Sequence, residues 1–376
     1  MRSGFRNGFV TTALVLLTAC GGGKQQASNV AAVAEEKVLN VYNWADYIGA
    51  STIQDFEKRT GIKVSYDTYD SYDVLGTKLM TGHSGYDVVV PSGAMANRLI
   101  RAGALLKLDR SRLKNLKNMD PEIMRIVTVN DPGNEYGLPY LFGTTGIGYN
   151  PDLVEKVLGT RKIDSLSAVF DPAIAAKLAK CGITMLDSTG DMFSIALIYL
   201  GRNPYGETPE DLTAAEAALT RARPYVRYYH SSKYVDDLAT GEVCVSIGWS
   251  GGVEQARARG VAAAKPVHVD YVIPKEGAPL WIDLIAIPAD APHPQNAHAF
   301  LDYFMEPEVA AGISNLVGQA NGNAASRPFV AETLRNDPTI YPTPEVYKKL
   351  YLDKTLSPET VRAINRAWTR IRTSVH

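Results

Sequence analysis

Trp44, Asp46 and Tyr47 fall in the stretch LNVYNWADYIG, residues 39–49, directly behind a strand-forming run. Two large aromatic side chains around a carboxylate suit a cation with an apolar body. The carboxylate accepts hydrogen bonds from an ammonium group, and each aromatic face adds about 0.5–2 kcal/mol of cation–π attraction. Trp249 ends a second strand-like run, VCVSIGW, and Ser92 follows a third, YDVVVPS. In alternating strand–helix folds ligands bind beyond the carboxyl ends of the strands, so these residues are expected to face one crevice. Each has a structural alternative. Asp46 and Ser92 suit the position just ahead of a helix, where a side-chain oxygen caps a free backbone amide. Tyr47 can simply pack, and a lone tryptophan is commonly core.

The elements that must hold these residues alternate from residue 38. KVLNVYN, IKVSYDTY and YDVVVPS read as strands. The intervening segments read as helices of about ten residues, the first with Ser51 at its start and Gly61 at its stop. Such alternation predicts parallel βαβ units. GLPYLFGTTGIGYN, residues 137–150, is extended and long enough to leave one domain and enter another. A second α/β unit follows, and residues 267–274 and 280–288 are extended again and positioned to cross back. Helices are expected at 294–304, 306–317 and 358–373. The expected division is residues 38–143 plus 268–318 for one lobe and 144–267 plus 319–376 for the other, with a hinge and a cleft between them.

A length of 376 residues fits two such domains, and 45% hydrophobic with 21% charged residues is ordinary globular composition. A formal charge of −1 gives no basic field for nucleic acid. Residues 1–19 read as a signal peptide: Arg2 and Arg6 precede the short apolar run FVTTALVLL. It ends in LTAC, which resembles a bacterial lipobox with Cys20 as the lipidated first residue of the mature chain, and residues 20–37 read as a flexible tether. The expected location is the periplasm, anchored to a membrane through Cys20. Cys181 and Cys244 remain, and outside the cytoplasm a lone pair is expected to be bonded. The six histidines form no spaced cluster with cysteine, so no metal or cofactor is expected.

Across the chain NVYNWADYI, FEKRTGIKVSYD, YDVVVPS, TTGIGYN, CGITMLD, VCVSIGW, IPKEGA and IPADAPHPQNAHAFLDYFMEPEVAA follow in order. Together they resemble the periplasmic binding proteins of polyamine ABC transporters, the putrescine/spermidine-binding type, over roughly residues 38–373. The resemblance implies an α/β, two-lobe type II periplasmic-binding-protein fold with a hinged ligand cleft. It implies a small amine ligand, membrane permease subunits as partners, a monomer, and a Cys181–Cys244 disulfide. The family's pocket stretches fall on Trp44, Asp46, Tyr47, Ser92, Asp191, Trp249, Trp281 and Asp283. Asp191, just ahead of Phe193, also suits a helix cap. An alkyl diamine needs a carboxylate at each ammonium end and flat apolar walls between them, because a buried unpaired ammonium is costly.

The sequence departs from the family at four pocket positions, among them Gly318 in place of a neighbouring aromatic. Gly252 stands where an aspartate is usual, Gln319 where a tyrosine is usual, and Ala45 where a serine is common. Gly252 and Gln319 are therefore further candidate pocket positions. Either the ligand has a larger or less cationic end, such as an acylated polyamine or an ω-amino acid, or another acid, Glu254 or Asp73, substitutes from a different direction. On that reasoning Gly252→Asp is expected to strengthen diamine binding. A sensor of the same fold would carry the same pocket. No G-x-S-x-G, H-E-x-x-H or P-loop motif is present, so no enzyme is expected.

Overall fold

Strand β1, Val38–Trp44, is the parallel neighbour of both β2, Lys63–Tyr69, and β3, Val88–Val89. The helix Thr52–Thr60 makes the first crossover. It stops at Gly61, whose φ of 72° is the left-handed conformation that glycine adopts without steric penalty. Ser51 precedes this helix but makes no side-chain cap bond. The computed structural model describes residues 35–69 and 72–373; the expected signal peptide, Cys20, most of the tether and the side chain of Asp73 lie outside the described residues.

The remaining strands are β4 (Gly137–Tyr149), β5 (Ile183–Met185), β6 (Val226–Tyr229), β7 (Val245–Trp249), β8 (Asp270–Val272), β9 (Ala278–Ala286), β10 (Ala320–Asn321) and β11 (Leu350–Leu352). Pairing runs β2-β1-β3-β9-β4-β7-β5-β6. The thirteen residues of β4 are all buried, and the strand changes partners midway. Gly137 to Thr144 pair antiparallel with β9, whereas Thr145 to Tyr149 pair with β7. β4 is thus the crossing foreseen from its length. The chain returns between β8, which pairs with Ile147 to Tyr149, and β9.

Each half has its own core. Ile147, Met185, Phe193, Leu238, Val245 and Tyr271 pack with Trp368 and Ile371 of the helix Pro358–Thr373. In the other half, Leu39, Val41, Phe56, Ile285 and Phe300 cluster in one core, and Leu75, Leu99, Phe142, Leu280 and Ile340 in another. Two of the expected boundaries move. The expected division puts residues 319–376 in the second lobe, but β10 pairs with Leu141 and Phe142 of β4, and β11 pairs with Ala278 to Leu280 of β9. Only the last helix returns to the second half. Residues 268–272 likewise stay with the second half through β8. Strands of two or three residues carry no periodic pattern, so pairing rather than sequence defines their side. A third crossing therefore lies between β11 and Pro358.

Cys181 and Cys244 are bonded to each other, 63 residues apart in sequence. The bond ties the residues leading into β5 and β7, which pair in parallel through Ile183 and Val245. Among the described residues no helix is long and apolar enough to cross a membrane, and no group of His, Cys, Asp and Glu is arranged to hold a metal ion.

Candidate ligand-binding site

The end of β1 places Trp44 between Tyr69 and Tyr72, with ring centroids 4.6 and 4.8 Å away. Across the cleft the end of β7 presents Trp249, edge-on to Trp44 at 6.2 Å. Trp281 and Asp283 come from β9, the strand next to the crossing strand β4. These side chains bound two compartments of ≈ 540 and ≈ 550 Å³ that share Trp44, Tyr72, Trp249 and Trp281 as walls. All eight residues expected at the site, and Gly252 and Gln319, line one compartment or both. Asp46, Tyr47, Asp283, Gly252 and Gln319 belong to the second, Ser92 and Asp191 to the first.

Three carboxylates approach this space without an ion-pair partner among the described residues. Asp283 is 3% exposed; its Oδ2 accepts from the Tyr47 hydroxyl at 2.8 Å, and its Oδ1 has no partner. Burial pushes the Asp283 carboxyl up to about 7 against the pull of the Tyr47 bond. The Tyr47 hydroxyl is itself held well above its ordinary range, by burial first and the Asp283 charge second, so it remains a donor. Asp191 accepts from Thr145 Oγ1 at 2.6 Å, Ser188 Oγ at 2.6 Å and Trp249 Nε1 at 3.3 Å. Burial raises it, and those three donors hold it back. Asp353 is pushed up to about 8 by burial first, then by the negative charges of Asp191 and Asp283. Its surface exposure is intermediate because the compartment it lines admits water, while the surrounding protein still desolvates it.

Three of the nearby cations are committed elsewhere, while Arg98 and Lys354, which line the first compartment, form no ion pair among the described residues. Arg372 pairs with Asp187, Lys233 with Asp237, and Arg259 with Asp236 and Asp46. Polar atoms at the cavity are correspondingly short of partners: Trp44 Nε1, Trp281 Nε1, Asp283 Oδ1 and Gln319 Oε1 are all buried and unbonded. Unsatisfied buried groups are rare in folded proteins, and a ligand with donors and acceptors of its own would complete the bonding of these four.

Several expected roles change in detail. Asp46, in a left-handed turn at φ 53°, is exposed at the rim and engaged by Arg259 at 3.4 Å, a contact that joins the two halves. Ser92 does cap: its Oγ accepts from the Met95 amide at 3.2 Å, although it also lines the cavity. The N-cap position of the helix Thr189–Tyr199 is Ser188, so Asp191 is free of capping and turned toward side-chain donors. Glu254 is bound to Arg257 at 2.9 Å and is absent from the cavity lining, so it does not replace the missing acid. Asp353 was not foreseen; its one sequence signal is an acid directly after the short apolar run LYL.

The departures are filled rather than open. A Cβ added to Gly252 would lie 1.9 Å from Tyr234 Oη and 2.8 Å from its Cζ, and Tyr234 is 1% exposed. Gln319 is buried, and its amide lies where a Cβ on Gly251 would be, 1.5 Å from Nε2. The expected benefit of Gly252→Asp is therefore corrected: with Tyr234 in place, the substitution overpacks the helix start. It is expected to destabilise the fold by about 1–3 kcal/mol and leave diamine affinity no better. Denaturant unfolding and calorimetry check both, and tighter binding at unchanged stability contradicts the packing argument.

The chain matches the family described as bacterial extracellular solute-binding protein over residues 51–342. The putrescine-binding periplasmic protein SpuD of Pseudomonas aeruginosa is 48% identical over 360 residues, covering 96% of this chain and 97% of that protein. The putrescine-binding periplasmic protein PotF of Escherichia coli is 45% identical, covering 90% of this chain and 92% of that protein. Among solved structures, a putative spermidine/putrescine ABC transporter from Listeria monocytogenes superposes with a TM-score of 0.80 at 30% identity, covering 90% of this chain and 99% of that one. With two α/β halves, separate cores and a ligand-sized cavity at their junction, the chain belongs to the bacterial extracellular solute-binding protein family.

Proposed function

We propose that this protein is the periplasmic solute-binding component of an ABC importer, and that it captures a polyamine-class ligand carrying at least two cationic groups. One observation carries the reading: Asp191 and Asp353 line one compartment and Asp283 the other, on either side of a shared aromatic wall, and none takes part in an ion pair among the described residues. A buried carboxylate without a counter-charge is expensive, and a dication relieves that cost at both ends at once. Trp44, Tyr72, Trp249 and Trp281 supply the apolar wall for methylenes between the charges. Relatives named for putrescine binding support the same class.

In this reading Trp44, Trp249 and Trp281 contact the ligand directly. Asp283 binds one ammonium group, with Tyr47 orienting it, and Asp191 serves the other end. Asp46 and Ser92 shape the rim and floor, and Gly252 and Gln319 mark where Tyr234 and a buried amide replace the family's groups. The two halves act as lobes that close by bending at β4 and at the return between β8 and β9. The protein binds rather than transforms its ligand, acts as a monomer, and delivers to membrane permease subunits. Native mass spectrometry of the purified protein tests the ligand class: a co-purified or exchangeable di- or triamine is expected, and retention of a neutral or anionic solute against putrescine overturns it.

Lipidation at Cys20 is part of the same proposal. Cys20→Ala is expected to move the protein from the membrane to the soluble fraction or to block its processing. Normal processing with unchanged membrane association removes the anchor from the account.

A further inference from the structure

We propose that Asp353 is a ligand-anchoring residue, forming with Asp191 a second cation subsite that takes the far ammonium or guanidinium group of the ligand. This rests on the amine reading above and adds a charge in the compartment opposite the one that Gly252 lines.

The placement comes from the third crossing. Residues 353–357 run from β11, on the first half, to the helix Pro358–Thr373, on the second. Their backbone is pinned from both sides. The Asp353 amide donates to Leu280 O at 2.8 Å, and the Asp353 carbonyl accepts from Asn130 Nδ2 at 3.1 Å. The Thr355 hydroxyl donates to Ala94 O at 2.9 Å, and the Ser357 amide donates to Glu207 at 3.0 Å. A segment fixed this firmly holds the Asp353 carboxylate at a set position in the first compartment, alongside Asp191.

Arg98, Lys354 and Arg372 also line this compartment, yet none forms an ion pair with Asp191 or Asp353 among the described residues; Arg372 is held by Asp187. At the shared wall, Trp281 is 7% exposed and its Nε1 has no partner. The charges are therefore distributed by compartment. Asp283 serves one, and Asp191 with Asp353 serves the other, with the aromatic walls common to both. A linear ligand with a cation at each end matches that distribution. A ligand with a single cation uses only one compartment's charge.

The test compares ligands that differ by one charge. Calorimetry on the full mature protein measures putrescine and butylamine binding to wild type and to Asp353→Asn. The expected result is a ten- to hundredfold loss of putrescine affinity with less than about threefold change for butylamine, whose one ammonium stays at Asp283. Asp353→Ser gives the same split, and ligand-free thermal unfolding of both variants, equal to or above wild type, shows an intact fold. Unchanged putrescine affinity, or equal losses for both amines, overturns the subsite while leaving the amine reading standing. Failure of wild type to bind any amine overturns both.

Discussion

Asp283→Asn is expected to raise the Kd for a diamine by roughly thirtyfold to several thousandfold, the largest loss of any single pocket change. The substitution is nearly isosteric, so the effect isolates charge. Asp283 is buried on β9, bonded by Tyr47 at 2.8 Å through one oxygen and unbonded at the other. Removing one member of a desolvated, hydrogen-bonded charge pair costs about 2–5 kcal/mol, because the ammonium left behind is buried without its partner. At 1.4 kcal/mol per decade this gives the stated range. The same change acts oppositely on the ligand-free protein. The folded carboxyl lies near 7, above its unfolded value of about 3.9, so its contribution to stability is full below the unfolded pKa and fades as pH rises through 7. Asp283→Asn removes that fall, and the ligand-free variant is expected to unfold later than wild type at pH 8. Equal diamine affinity in the two proteins contradicts the role given to Asp283.

Replacing Cys181 and Cys244 together with alanine is expected to lower the unfolding free energy by about 4 kcal/mol under non-reducing conditions, the chain-entropy value for a loop of this length. The bond joins two segments that enter parallel neighbours β5 and β7, and Cys244 is fully buried. Alanine is the cleaner replacement, since serine would add a buried hydroxyl in an apolar core. Denaturant unfolding measures the loss, and wild type with reductant should reproduce it. Two alkylatable thiols in native wild type, or no effect of reductant, rules the staple out.

Much of the fold was legible because its signals are local. The aromatic–acid stretch behind β1, the tryptophan ending β7 and the serine behind β3 each lie next to a strand end, and strand ends converge in such folds. The length of β4 revealed the crossing before its pairing was visible. What escaped the sequence depends on partners far along the chain. Tyr234 fills the space beside Gly252 from a different helix, and Arg259 occupies Asp46 across the cleft; neither contact has a pattern in the letters. Asp353 sits in a segment whose strand is three residues long, below any detectable period. Residues 319–352 went to the wrong half for the same reason. The pocket's composition was therefore readable, while its charge balance was not, because that balance is set by which cations are already engaged.

The central claim is that buried carboxylates take up the ligand's cations, and proton release on binding tests it most directly. At pH 7.5 Asp283, near 7, and Asp353, near 8, hold part of their protons in the ligand-free protein. Asp191 is raised too, and the tyrosines that line this space, Tyr47, Tyr69, Tyr72, Tyr205 and Tyr234, are pushed further above neutrality and stay protonated. An alkylammonium keeps its own proton at this pH, and its charge favours the ionised carboxylates. Calorimetric titration with putrescine in two buffers of different ionisation enthalpy is expected to show net release, on the order of one proton per ligand. Affinity should fall as pH drops below 7. Binding with no proton release and a Kd constant between pH 6 and 8.5, or net proton uptake, contradicts the account.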